Sequence, residues 1–560
     1  MKESPYRLSR LTQIRNSLYL RRAAWFRRPT AIKNMPEPWS IGQHERGKQL
    51  VSGHFLFKGQ EIDFRNGSIW DQFAMSDLLE AELHGFKWLD DLLAFGNNEA
   101  RELAQIWLIG WISKFGMGKG IGWNANLTGR RLIHWINHLS FIESSFSKKN
   151  LDIFYHSLAL QMLFLSKYWP QTNTCIGRFE ALCGLVYATS LSTGMERLAA
   201  LSLSLLNKEC ETQINSDGTL VTRNPEEVLN VFALLIRVKL TLESVNSEIP
   251  QPLLSRIENM APVMRGLRHG NGTLPRFHGG GSSAEYFLDQ VLASSGIRPA
   301  PPRNSIMGFA RLSSGSTTLI VDAAPPYSGP LSLNSHASTN AMELSVSRNL
   351  LFVNCGSGLG FGDDFHLAGR CTASHSTMTI EGVNSSWFSK GIHKNLSYIQ
   401  EAPKIVKVHK QKAMDGLRLR INHDGYQSSH GLTHVRTMDL AIDGNSLVGE
   451  DELYPPKKRD LKKFDKISAD QLAQLEYAVQ FHIHPDVQSS IIDEGTAISL
   501  TLVDGDCWVL KHDGSSVVSL EDSVYFDDNF LNPRPTSQIV LSGKIKKFTT
   551  RVRWSLAKVV

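Results

Sequence analysis

The spacing of apolar residues changes partway along this chain, and no single regular architecture accommodates both halves. From about residue 70 to 300 they recur three and four apart, in segments such as 75–95, 100–115, 151–169 and 179–192. That is the period of an amphipathic helix. Short breakers at 96–98, 116–120 and 192–194 separate the runs. Consecutive helices on short loops predict antiparallel hairpins stacked into a bundle or toroid. Past a glycine-rich stretch at 270–281 and three prolines within 299–302, the period falls to two. Alternating runs lie at 316–322, 341–347, 350–354, 376–380, 404–408, 416–422, 435–442, 477–484, 497–503, 507–511 and 549–555. Asp443-Gly444-Asn445, Asp504-Gly505-Asp506 and Asp513-Gly514 supply tight turns between several of them, which predicts an antiparallel sandwich. The expected chain is multidomain α+β: a basic arm at 1–50, an all-α, α/α toroid-like domain at 51–300, and an antiparallel β-sandwich at 301–560. A ligand cleft is expected where the last two meet.

Length supports more than one core, since 560 residues exceed what a single domain usually holds. A net charge of +6 mildly favours an acidic partner without naming one. The six cysteines are scattered with no C-x-x-C spacing, so neither a zinc knuckle nor a disulfide framework is expected. No run reaches the roughly 20 apolar residues of a membrane span. Near the N-terminus Lys2, Arg7, Arg10, Arg15, Arg21, Arg22, Arg27 and Arg28 face only Glu3. The arginines interrupt every apolar stretch, which leaves no signal-peptide core there. This arm reads as solvated or frayed, with peripheral contact to a membrane as its functional alternative. A nucleic-acid partner is not expected.

Residues 335–358 (SHASTNAMELSVSRNLLFVNCGSG) and 362–386 (GDDFHLAGRCTASHSTMTIEGVNSS) resemble the C-terminal domain of heparinase II/III-like proteins. A histidine-containing turn leads into a strand, a hairpin and a glycine, followed by an arginine and an Ala-His-Ser-Thr-like segment. Residues 123–135 (WNANLTGRRLIHW), 179–188 (FEALCGLVYA) and 260–281 (MAPVMRGLRHGNGTLPRFHGGG) resemble the helical domain of a bacterial branch of that family. The resemblance runs from about residue 50 to 555. It implies β-elimination on an acidic, uronate-containing polysaccharide: a base removes the C5 proton, an acid protonates the departing O4, and a polar or cationic group faces the carboxylate. No redox cofactor is required.

Several residues are candidates for those roles. By the resemblance the first histidine of a His-x-His pair is replaced by Asn334, leaving His336 as a base, a metal ligand or a structural hydrogen-bonder. His375 and Arg370 are its catalytic companions. In metal-bearing relatives a histidine at 375 and an aspartate at 354 complete a zinc site. Asn354 stands here instead, so zinc is disfavoured. His482 and His484 point to one face of a strand, with no third ligand evident. Arg130 and Arg131 beside Trp123, His134 and Trp135 form the preferred substrate-binding cluster, since guanidinium forks suit carboxylates and indoles suit sugar faces. The alternative is that Trp135 is core and the arginines pair with a neighbouring helix. Asn173 and Arg223 are further substrate-binding candidates, although Gly177 aligns where the family places its carboxylate-facing asparagine. The family tyrosine has no counterpart around Pro225-Glu226-Glu227, which reads as the acidic first turn of a helix. Tyr286, Tyr327 or a histidine would then carry proton transfer. The glycines at 116–122 and 279–281 lack the context of a phosphate loop and read as flexible.

The reading is a polysaccharide lyase-like protein, with two alternatives. One is a non-catalytic acidic-glycan-binding or envelope-associated protein that has lost lyase activity; the other is an interaction protein working through the basic arm. The resemblance implies the cell envelope or periplasm, whereas the absence of an export signal points to the cytoplasm.

Overall fold

The structure, a computed structural model, describes residues 8–25, 31–33, 35, 42–57, 60–64, 68–71, 76–172, 174–281, 286–298, 305–389, 397–470, 475–546 and 548–559. The chain divides into two compact units. One is Met1–Asp217 with Asn230–Asn259, the other Gly218–Leu229 with Met260–Val560.

The first unit is built mainly of helices, with a short antiparallel hairpin of His54–Phe57 and Gln60–Asp63. Arg10–Ala24 is a helix whose first turn is capped by the Ser9 hydroxyl, which accepts from the Thr12 N–H, and whose Leu20 is fully buried. This part of the basic arm is therefore anchored rather than frayed. Trp88–Phe95, Asn98–Phe115, Ala125–Asn137, Lys148–Tyr168, Cys175–Leu191 and Glu196–Gln213 follow. Their starts carry side-chain caps from Asn97, Ser147 and Thr174, each accepting a first-turn N–H. The helices Ala125–Asn137 and Cys175–Leu191 meet at glycines. A Cβ on Gly129 would lie 2.1 Å from the Glu180 carbonyl oxygen, and one on Gly184 2.4 Å from that of Gly129. Around them sits an aromatic core in which Trp111 stacks edge-on with Trp135 at 5.6 Å and lies 6.1 Å from Trp123. Removing one such buried ring would cost about 3–5 kcal/mol. No described helix is long and apolar enough to cross a membrane.

The second unit is a sandwich of two antiparallel sheets. One runs in the order Val406–Lys412, Gly416–His423, Thr433–Ala441, Ser446–Tyr454, Thr550–Lys558, Cys507–His512, Ala497–Thr501, Gln488–Ile492. The other runs Val517–Tyr525, Arg534–Lys544, Glu476–Ile483, Asn349–Val353, Met342–Val346, Thr317–Asp322, Phe309–Ser314, Ser305–Ile306, with Met378–Ile380 also paired to Glu476–Ile483. Apolar residues from both sheets, among them Leu419, Leu440, Leu319, Leu344 and Val479, merge into one core. Ser446–Tyr454 alternates between buried and more accessible positions, as its sequence period predicts.

Thr317–Asp322 and Met342–Val346 are instead buried at every position. Residues 260–281, helical in spacing at their start, belong to this unit and contribute to that burial. His269 reaches Ser345 Oγ at 3.2 Å and Glu343 Oε2 at 3.1 Å. The Arg276 N–H donates to Glu343 Oε1 at 3.0 Å. All six cysteines are free thiols.

Candidate functional site

The loop after Leu267 carries His278 at a left-handed φ of 52°, immediately before Gly279. The turn before Met342–Val346 carries His336, and a short helical turn before Met378–Ile380 carries His375. All three imidazoles are fully buried. The His336 N–H donates to His278 Nδ1 at 3.0 Å, and the Gly279 N–H donates to His336 Nε2 at 3.1 Å. His336 Nε2 is thus an acceptor, so Nδ1 holds the proton and donates to His375 Nε2 at 2.9 Å. His375 in turn donates from Nδ1 to the Cys371 carbonyl at 2.8 Å. Every nitrogen of His336 and His375 is spoken for. Burial, reinforced for His336 by His375, His278 and Arg370, depresses its pKa far below the ordinary value. Burial brings His375 down to about 3. Both rings are neutral at physiological pH.

Beside them His278 Nε2 lies 3.2 Å from Asp322 Oδ2, and the Ser338 hydroxyl donates to the same oxygen at 2.7 Å. Arg223 pairs with the other carboxylate oxygen and lies 4.7 Å over the Phe309 ring. Although burial pushes the Asp322 carboxyl up, Arg223, His278 and Ser338 together hold it well below the usual carboxylate range. Arg223 also donates to the carbonyls of Met307, Gly308, Ala324 and Pro325. Arg370 is fully buried and donates to the carbonyls of Ser335, Ser397 and Ser332 at 2.9, 2.6 and 3.0 Å. Burial lowers it to about 10, so it remains a cation whose charge is held inside a cage of carbonyls.

The remaining sequence candidates are dispersed. Arg131 and Trp135 were expected to face a sugar, yet both have zero exposure. Arg131 donates to Gln161 Oε1, the carbonyls of His84 and Gly122, and Thr128 Oγ1, and lies 3.9 Å over the Trp111 ring. The surroundings explain the correction: Ala125–Asn137 is buried at every position except 126, 130 and 134, so neither 131 nor 135 has a solvent-facing side. Arg130 keeps partial exposure and pairs with Glu180 of the neighbouring helix at 2.5 Å. Asn173 lies outside the described residues, and Gly177 sits in the first turn of Cys175–Leu191, its N–H capped by Thr174. Pro225-Glu226-Glu227 do begin a helix, with Asn224 Oδ1 accepting from the Glu226 and Glu227 N–H groups. Tyr286 is exposed and Tyr327 half-buried.

The donors at the family's zinc position do not fit a metal. Asn354 accepts from the Ser376 N–H at 3.0 Å and donates to Glu343 Oε1 at 2.8 Å, while His375 has no free lone pair. His482 donates to the Ala373 carbonyl and meets Ser523 Oγ and Cys355 Sγ. His484 stands apart, 3.7 Å from Asp486, so the two strand histidines share no partner.

Sequence spacing missed His278 and Asp322, because their convergence spans more than 40 residues of chain. The available signal was a histidine wedged into the glycine-rich run FHGGG, where backbone approaches closely.

Comparison with known proteins bears on the fold that carries these residues. Residues 298–555 fit the family described as heparinase II/III-like, C-terminal. The curated "FtsZ-localized protein C" of Caulobacter vibrioides (strain NA1000 / CB15N) is 26% identical over 540 residues, covering 95% of this chain and 91% of that one. A crystal structure of heparinase III aligns with a TM-score of 0.70 at 15% identity, covering 97% of this chain and 89% of the other. A heparan sulfate lyase mutant from Pedobacter heparinus aligns with a TM-score of 0.58 at 16% identity, covering 98% and 88%. At those identities the structural likeness is one of fold, and it is the expected one: a toroid-like helical part followed by an antiparallel β-sandwich. Residues 298–555 of the chain thus match the heparinase II/III-like, C-terminal family, and the chain as a whole shares the fold of heparinase III.

Proposed function

We propose that this protein is a non-catalytic relative of the heparinase-type lyases that binds an acidic polysaccharide without cleaving it. The observation that carries the reading is the closed chain from Gly279 through His336 and His375 to the Cys371 carbonyl. β-Elimination needs a base with a lone pair facing the C5 proton, an acid near O4 and a charge neutraliser at the carboxylate. His336 offers no lone pair, because Gly279 holds it. Arg370 and Arg223 spend their donors on internal carbonyls and Asp322. No tyrosine follows Pro225. The ligand class is supported by the fold shared with heparinase III and heparan sulfate lyase. The curated relative is named for localisation with FtsZ rather than for a reaction, which is consistent with work done by binding.

The test is ultraviolet absorbance of unsaturated uronate ends during incubation with heparan sulfate, hyaluronan, alginate and polygalacturonate, run beside a binding titration on the same glycans. Binding without absorbance growth is expected, unchanged in His336→Ala if that variant folds. Absorbance growth with the wild type, lost in His336→Ala, would overturn the reading and establish a lyase.

A second reading concerns attachment. Leu11, Ile14, Leu18 and Trp25 are exposed at helical spacing on and just after Arg10–Ala24, flanked by exposed Arg10, Arg15, Arg21 and Arg22, and the helix contains no acidic residue. An apolar stripe edged with arginines suits the surface of an anionic bilayer. Each arginine there would add about 1 kcal/mol. Co-sedimentation with phosphatidylglycerol vesicles, absent with phosphatidylcholine and lost in Leu18→Glu, is the expected result. Equal sedimentation of the Leu18→Glu variant would remove the helix from the reading.

A further inference from the structure

The helical unit holds a second histidine cluster that neither the fold nor the proposed function accounts for. Asp90 comes from the helix Trp88–Phe95, His134 from Ala125–Asn137, and His138 caps the end of that helix. Four residues apart, the two imidazoles stand on one helical face, with rings 16° from parallel. His134 Nδ1 lies 3.1 Å and His138 Nε2 2.5 Å from the same atom, Asp90 Oδ1. One nitrogen of each histidine and one oxygen of the aspartate all fall within 4.8 Å of one another. Asp91, next in sequence, is turned elsewhere, to the Gln43 N–H and to Arg46.

We propose that Asp90, His134 and His138 form a binding site for a zinc-class divalent cation. Zinc takes imidazole nitrogen at about 2.0–2.1 Å and carboxylate oxygen at about 2.0–2.2 Å, which sets tetrahedral ligand atoms about 3.3 Å apart. The two histidine–aspartate separations, 3.1 and 2.5 Å, fall somewhat short of that value and all three atoms lie within 4.8 Å, so small side-chain rotations bring three ligands onto one ion. His134 keeps a little exposure while Asp90 and His138 are buried, which gives a fourth position access to water. His138 Nδ1 has no hydrogen-bond partner, so the ring is held only from the side that faces the cluster.

The donor set also selects the ion. Magnesium and calcium seek several oxygens, and only one carboxylate is offered. Arg237 is buried close enough to feel the Asp90 charge, so the carboxylate attraction is already partly used. An ion drawn by imidazole affinity, as zinc, cobalt(II) and nickel are, fits better than one drawn by charge alone. The bland account, two imidazole N–H groups donating to one carboxylate oxygen, predicts no affinity for such an ion.

The experiment is titration of the full-length, chelator-treated protein with cobalt(II), followed by visible spectroscopy and displacement with zinc. The expected result is one equivalent of cobalt with the d–d absorption of a four-coordinate complex, displaced by zinc. His134→Ala should weaken binding by about 100-fold or more, since even outer-shell changes at metal sites cost up to that much. His484→Ala, which alters the strand pair in the other unit, should leave it unchanged. As a check independent of the variants, zinc but not magnesium should raise the thermal midpoint of the wild type. No cobalt uptake, no zinc-dependent shift, or full binding by a folded His134→Ala protein would each overturn the assignment.

Discussion

Acidification should loosen the two units unequally, because their buried histidines are unequally distributed. Burial lowers His366 and His375 in the β unit and His84 in the helical unit to about 3 each. An unfolded histidine titrates near 6.5. Below that pH the unfolded chain takes up a proton that the folded chain refuses, so stability is fully present above 6.5 and falls as pH drops toward 3. At pH 5 each group has lost about 1.5 pH units of linkage, or about 2 kcal/mol. The β unit then forfeits about 4 kcal/mol from His366 and His375, against about 2 kcal/mol in the helical unit from His84.

His278, His336, His423 and His434, all in the β unit, are lowered too and enlarge the difference. His482 acts in the opposite direction: burial alone would lower it, but Cys355 and the Ala373 carbonyl together raise it. The low-lying carboxyls of Asp90, Asp322 and Asp451 stay ionised at pH 5 in both states and leave the comparison untouched. Against a typical domain stability of about 5–15 kcal/mol, the loss is large. Urea unfolding at pH 7 and pH 5, with hydrogen exchange read separately for each unit, measures it. A β unit whose unfolding free energy changes by less than about 1 kcal/mol, or a helical unit that loses more than the β unit does, would refute the assignment of neutral buried imidazoles.

Three further outcomes follow from particular contacts. Gly129→Ala forces a methyl against the Glu180 carbonyl and should cost about 1–3 kcal/mol in urea unfolding, the usual toll of overpacking. Arg223→Ala leaves the Asp322 carboxylate buried without its main countercharge and should cost about 3–5 kcal/mol, whereas Tyr286→Phe on the exposed surface should change stability by less than about 0.5 kcal/mol. Asn354→Asp sets a carboxylate where an amide now donates to Glu343, so it should destabilise the protein at pH 7, and the deficit should shrink on acidification as one carboxyl of the pair takes a proton.

The order of helices and strands was legible because burial on one face imposes a period on each element. Where both faces are buried the period vanishes: Thr317–Asp322 reads as a half-exposed strand, yet nothing local reveals what covers its second face. Site residues were legible to the extent that chain neighbours carry them. His336, His375 and Arg370 do lie together, and their residue types suggested chemistry. What they do there depends on partners such as Gly279 and the Cys371 carbonyl, which no side-chain pattern announces. Arg131 and Trp135 failed for a different reason. Arginine and tryptophan suit both a sugar and a cation–π core, and only the burial of nearly the whole helix by its neighbours distinguishes the two.

The histidine chain also has a sense of direction. Gly279 supplies a hydrogen that cannot be withdrawn and Cys371 a carbonyl oxygen that can only accept, so the protons between them admit one arrangement. Both His336 and His375 are locked as Nδ1–H tautomers and His278 as Nε2–H. A wire terminated at both ends stores order instead of carrying current. In nitrogen-15 spectra these rings should appear as single, unaveraged tautomers whose N–H protons exchange with solvent only when the strands around them open.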